Sequence, residues 1–204
     1  MTDFDYPLTM TGGHTRAEII GKMHDRLSDG RFAHCIRVEA ESRRLAEQYG
    51  VDVDTAGLAG LLHDYAKEIT PETYRDVIVR EGYGADLLPY GRGVWHGMVG
   101  TWFLQQDLGI SDPAVIRAIN RHTTGHPDMT ALDMITFVAD FIEPARALPG
   151  EIAAREAAKY SLEEATMLEL QNTLTYLIGK GLLIHPLTFA TYNAFTERRA
   201  HQHH

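Results

Sequence analysis

Ala56-Gly57-Leu58-Ala59-Gly60-Leu61-Leu62-His63-Asp64-Tyr65-Ala66-Lys67 carries an unbroken apolar run directly into an imidazole and a carboxylate. A run of that composition belongs inside a protein, and Asp54 or Thr55 is expected to cap the helix that carries it. An ionised carboxylate entering an apolar interior loses several kcal/mol of hydration, roughly, unless a cation or a full set of hydrogen bonds replaces it. Asp64 therefore demands compensation. The chain offers His34 upstream and His96, His122 and Asp140 downstream, each on a segment that reads as the inner face of a helix. Imidazoles with carboxylates that can bridge suggest a two-metal site, in which the cations sit about 3.5–4 Å apart. Asp64 is the candidate bridge.

Outward from this stretch, the longer segments have helical rather than strand periodicity. His34, Val38, Leu45 and Tyr49 fall at steps of four, seven and four, which stacks them on one stripe and leaves Glu39, Arg43 and Glu47 to solvent. Gly50 stops that helix. Pro71 to Glu81 reads as a short helix capped by Thr70, residues 82–93 as a loop, and His96 to Leu108 as a helix. Asp112-Pro113 opens the helix that aims His122 inward, and Thr130 to Pro144 carries Asp140. Residues 151–184 are helical and amphipathic, with a last helix from Pro186. The expected fold is all-α and a single domain: a metal-binding core over about 16–146, with additional C-terminal helices over about 151–204.

The 204 residues are enough to bury a core without help from a metal. A formal charge of −9 disfavours a nucleic-acid-binding surface, although a metal pair can invert the potential in one pocket. The single cysteine, Cys35, excludes an internal disulfide framework and fits a reducing compartment. With no apolar leader and no run long enough to span a bilayer, a cytoplasmic protein with no membrane contact is expected.

Each candidate ligand has a plainer alternative. Asp140, among Phe137, Val138, Phe141 and Ile142, could serve a salt bridge, and His34, His96 or His122 taken singly could be a hydrogen-bonded core histidine. Taken jointly, these readings weaken. His14 and His24 sit among polar residues and read as surface, His126 is cut off from the His122 helix by Gly125 and Pro127, and His185 reads as structural. The ending His201-Gln202-His203-His204 is left out of the site. No phosphate-binding glycine loop, Gly-x-Ser-x-Gly motif or cysteine pair competes with metal chemistry.

The order His34, His63-Asp64, His96, His122, Asp140 resembles the HD superfamily of metal-dependent phosphohydrolases. Leu61-Leu62-His63-Asp64-Tyr65-Ala66-Lys67, Trp95-His96-Gly97, His122-Thr123-Thr124-Gly125 and Ala139-Asp140-Phe141-Ile142-Glu143-Pro144-Ala145-Arg146 are similar to the signatures of its YqeK-type hydrolases. The resemblance implies a helical HD fold, a centre of two metals, and symmetrical hydrolysis of diadenosine tetraphosphate to two ADP. Iron is the implied metal, with manganese or another transition metal as alternatives. It also implies that His34, His63, Asp64 and Asp140 hold one metal and that Asp64, His96 and His122 hold the other.

For substrate contacts, Lys67 falls three residues after Asp64 and would share its face if the helix continued. Thr123 and Thr124 offer hydroxyls, and Arg146 offers a bidentate phosphate contact. Rival expectations are an HD phosphohydrolase for another nucleotide or alarmone, an oxygenase on the same ligand set, and a metal-dependent nucleotide sensor without turnover.

Overall fold

The computed structural model describes residues 4–202, so His203 and His204 of the tail lie outside the described residues. In chain order its helices are α1 (Arg16–Arg26), α2 (Asp29–Tyr49), α3 (Val53–Leu62), α4 (Pro71–Arg80), a 3-10 helix (Ala85–Tyr90), α5 (Arg92–Met98) and α6 (Gly100–Leu108). They continue as α7 (Pro113–Arg121), α8 (Ala131–Ile142), α9 (Pro149–Ala157), α10 (Leu162–Gly179) and α11 (Pro186–Gln202). There is no strand among the described residues, as the helical periodicity requires. No helix among them is long and apolar enough to cross a membrane.

Several boundaries move for local reasons. Asp52, rather than Asp54 or Thr55, caps α3, because its carboxylate accepts from the Thr55 amide at 2.7 Å, three residues on. The expected 82–93 loop holds the 3-10 helix and the start of α5, secured where the Trp95 indole donates to Leu87 O at 2.8 Å. The expected 96–108 helix breaks at Val99, between Gly97 and Gly100, two residues of low helix propensity. The 151–184 segment likewise divides, and the Ser161 hydroxyl caps α10 by accepting from the Glu164 amide at 3.1 Å.

One face differs from its expected role. Glu39 is buried rather than solvent-facing, because the N-terminal segment folds over α2. Tyr6 donates its hydroxyl to Glu39 at 2.5 Å, and Arg16 Nε donates at 2.8 Å, so a cation accompanies the carboxylate inside.

The core is formed where α2 packs against α3 and α8, α3 against α7 and α8, and α7 against α8. Asp133, fully buried on α8, accepts from Arg117 Nε at 3.1 Å and Arg121 Nη1 at 2.8 Å and so ties α7 to α8. Gly60 sets the closeness of α2 and α3: a Cβ there would lie 2.3 Å from Ser42 Oγ and 3.0 Å from Val38 O. Gly60→Val is expected to cost about 2–3 kcal/mol through overpacking. The loss should appear as a lower denaturant midpoint at unchanged slope. A wild-type midpoint would contradict this packing.

Candidate metal centre

The site collects helix ends. His63 follows the last residue of α3, His122 follows the last residue of α7, His96 lies in the last turn of α5, and Asp140 lies in the last turn of α8. Helix C-termini carry unpaired carbonyls and partial negative charge. Three of the imidazoles pair with helix carbonyls: Nδ1 of His63 with Gly60 O at 2.7 Å and that of His122 with Ile119 O at 2.6 Å, both in the last turns of their helices, and that of His96 with Arg92 O at 2.7 Å, at the first residue of α5. A carbonyl only accepts, so each Nδ1 carries the proton and each neutral ring keeps a bare Nε2 lone pair. His34, from the second turn of α2, sets its Nδ1 3.2 Å from Glu143 Oε1.

Those Nε2 atoms face one another. His34 and His63 Nε2 are 3.3 Å apart, and His96 and His122 Nε2 are 2.9 Å apart. Two bare nitrogen lone pairs at such distances repel unless a proton or a metal cation lies between them. Asp64, with no exposed surface, divides its carboxylate between the two pairs. Oδ2 lies 3.3 Å from His63 and 3.8 Å from His34, while Oδ1 lies 3.1 Å from His96 and 3.9 Å from His122. Asp140 Oδ1 closes the first group at 2.9 Å from His34 and 3.6 Å from His63. Metal–ligand bonds of about 2.1 Å place neighbouring donor atoms roughly 3.0–3.4 Å apart, which these spacings approximate. Asp64 Oδ1, buried and without a hydrogen bond, is left with acceptor capacity. Imidazole nitrogens and carboxylate oxygens in this arrangement fit divalent metal ions.

The electrostatics agree. Burial pushes the His63 imidazole down, but the carboxylates of Asp64 and Asp140 outweigh it and raise it to about 10, so the pocket draws positive charge. Burial also opposes ionisation of Asp64 and Asp140, yet neighbouring imidazoles hold both well below the usual carboxylate range. His122 is held well below its ordinary value by burial and by His96 and His63, and His96 is lowered by burial and Lys67. Both keep the lone pair a metal needs.

Around the centre lies a basic mouth, a cavity of about 330 Å³ lined by Arg31, His34, Arg37, Glu68, Glu143 and Arg146 among others. Arg31 Nη1 donates to Asp64 Oδ2 at 2.7 Å, Arg37 Nε to Glu143 Oε2 at 2.6 Å, and Arg146 Nη2 to Asp140 Oδ1 at 3.4 Å. Burial pushes Glu143 up, but the Arg37 guanidinium, the Ala145 amide and His34 hold it at about 2, so it stays an anion beside His34. Sequence reasoning missed Arg31, Arg37 and Glu143. Their signal was spacing, since Arg31 and Arg37 flank His34 at three residues on α2 and Glu143 follows Asp140 by three.

The expected substrate contacts are placed unequally. α3 ends at Leu62, and a turn, in which the Lys67 amide donates to Asp64 O at 2.9 Å, replaces the helical continuation. The turn still sets Lys67 Nζ 3.3 Å from Asp64 Oδ1 and 2.9 Å from His96 Nε2. Arg146 reaches Asp140. Thr124 is buried and donates its hydroxyl to Gly125 O, while the Thr123 hydroxyl packs where a Gly97 Cβ would be, 2.8 Å from it. Of the remaining histidines, His24 is exposed, His14 is half-buried rather than on the surface, and His126 lies 3.7 Å from Asp128. His185 stacks edge-on against Tyr90. Cys35 is fully buried, and burial pushes its thiol well up.

The HD domain family model matches residues 31–145, the span that contains every candidate ligand. The chain belongs to the HD domain family. A Bacillus subtilis relative named symmetrical bis(5'-nucleosyl)-tetraphosphatase is 36% identical to this HD protein over 87% of its chain and 96% of the relative. A Halalkalibacterium halodurans protein of the same name is 38% identical over 87% and 95%. A crystal structure from Clostridium acetobutylicum, titled a predicted HD superfamily hydrolase involved in NAD metabolism, superposes with a TM-score of 0.85 at 33% identity. The superposition covers 89% of this HD chain and 97% of the other.

Proposed function

We propose that this chain is a metal-dependent phosphohydrolase that cleaves diadenosine tetraphosphate symmetrically into two ADP. The observation that carries the proposal is the division of Asp64, one carboxylate oxygen towards His34 and His63 and the other towards His96 and His122. In this reading His34, His63, Asp64 and Asp140 hold one cation, and Asp64, His96 and His122 hold the other. When bound, two cations lower the pKa of water and offset the negative charge of phosphoryl oxygens, the two obstacles to anhydride hydrolysis. Iron is the proposed metal, since the family resemblance implies it and a donor set of imidazole and carboxylate without thiolate accommodates it.

The chain's own groups do the rest. Arg31, Arg37 and Arg146 at the mouth attract a polyphosphate to a protein whose formal charge is −9. Lys67 holds a phosphate oxygen beside the centre, and Thr123 and Thr124 shape the floor beneath His96 and His122. Water attacks one of the two inner phosphorus atoms, the central P–O–P bond breaks, one ADP leaves with the bridging oxygen, and the other ADP carries the oxygen of the water, whose protons pass to solvent. The names of the Bacillus and Halalkalibacterium relatives support the symmetrical cut. We read the chain as one cytoplasmic domain, with α9 to α11 added to the metal-binding core.

Anaerobic metal analysis coupled to chromatography of products from diadenosine tetraphosphate tests the reading. About two metals per chain with ADP as sole product is the expected result. ATP plus AMP, or full metal loading without turnover, would overturn it in favour of asymmetrical cleavage or a nucleotide sensor.

A further inference from the structure

Arg146 joins the metal centre to a second cavity. Its guanidinium lies 3.4 Å from Asp140 Oδ1 and 3.8 Å from Glu151 Oε1, both long contacts that leave donors free. It lines both the basic mouth and a separate cavity of about 310 Å³, whose walls include Phe141, Leu148, Gly150, Asn172 and Tyr176. That volume lies at the lower end of the range for small-molecule sites, roughly 300–1,000 Å³. Tyr176 and Leu148 are 59% and 68% exposed, so large apolar surface lies open at its rim.

Besides Arg146 the cavity is lined by three polar side chains, Glu151, Thr173 and Asn172. Glu151 accepts from the Leu148 amide at 2.7 Å and faces Arg146, and Asn172 of α10 donates its Nδ2 to Leu168 O at 2.7 Å. A carbonyl only accepts, so the amide nitrogen must face Leu168, and Oδ1 takes the other side. Oδ1 accepts no side-chain or backbone hydrogen bond among the described residues. It occupies space that only glycine leaves, because a Cβ on Gly150 would lie 2.0 Å from it. One helical turn back, Glu169 is buried behind the cavity, and burial together with Asp140 pushes its carboxyl well up.

We propose that this cavity seats one purine base of the substrate and selects adenine, whose exocyclic amino group donates to Asn172 Oδ1, over guanine, whose carbonyl meets that oxygen with like polarity. Phe141 and Tyr176 supply aromatic contact for the ring, and Arg146 marks the passage from base to phosphates. The proposal rests on the reading of the substrate as a dinucleoside polyphosphate.

Calorimetric titration of the metal-loaded full chain with ADP and with GDP tests it, using Asn172→Leu and Gly150→Ala. Glycine here lacks a positive φ, so alanine acts by displacing the Asn172 amide rather than by straining the backbone. Both variants should raise the Kd for ADP about five- to tenfold and reduce the preference over GDP, with metal content and Tm close to wild type. A parallel assay with diadenosine tetraphosphate should show the same change in KM with kcat altered less than about threefold. Wild-type Kd values in both variants, or no ADP binding by the wild type, would overturn the pocket. A shifted Kd in a protein that forms no ADP from the tetraphosphate would support the pocket and overturn the hydrolytic reading.

Discussion

Asp64→Ala is expected to abolish metal binding and hydrolysis together. Asp64 is the one residue whose two oxygens face different pairs of imidazoles, so its loss removes an anion from both halves of the centre at once. It also lies fully buried beside Arg31 and Lys67, and its removal leaves both cations facing the imidazoles without an intervening carboxylate. Two basic side chains then compete with any metal for the same nitrogens. Activity should fall by more than about a thousandfold, beyond the 10- to 100-fold typical of losing a group that only orients a ligand. Plasma emission spectroscopy on anaerobically prepared protein reads the metal, and ADP chromatography reads turnover. Circular dichroism separates this loss from unfolding. Retention of both metals in the folded variant would refute a bridging Asp64.

The centre was legible in the sequence because burial has a signature there. His63 and Asp64 end an apolar run, and Asp140 sits among Phe137, Val138, Phe141 and Ile142, so each polar residue declares itself by the company it keeps. Arg31 and Arg37 declare nothing of the kind. They flank His34 on a helix rich in charge, and only the arrival of Asp64 and Glu143 from other helices gives them a role. Glu39 is a sharper instance. Helical periodicity places it opposite the His34 stripe, which is correct, yet residues 4–16 cover that face and supply its cation. Periodicity reports which residues share a face, and it does not report what covers the face. Helix ends obey the same limit: Val99 divides α5 from α6 although the sequence on either side is helical.

Lys67→Ala should separate from Asp64→Ala in kind. Lys67 Nζ lies 2.9 Å from His96 Nε2 and 3.3 Å from Asp64 Oδ1, so the ammonium takes up positive charge at the second half of the centre. Its side chain is 30% exposed and can turn towards the mouth when another cation occupies that place. There it becomes a donor to substrate phosphate. Removing it deletes no ligand atom and removes a competitor for His96, so metal content should stay at the wild-type value or rise at limiting metal. The lost charge-assisted hydrogen bond is worth about 1.5–3 kcal/mol, which corresponds to roughly 10- to 150-fold in kcat/KM. The loss should appear mainly in KM, because the ammonium holds phosphate in the bound substrate as well as in the transition state. Lys67→Arg should recover part of it by restoring the charge with a different reach. If Lys67→Ala instead lost metal to the same extent as Asp64→Ala, the lysine would be a structural part of the centre, and the division between metal ligands and phosphate contacts would fail.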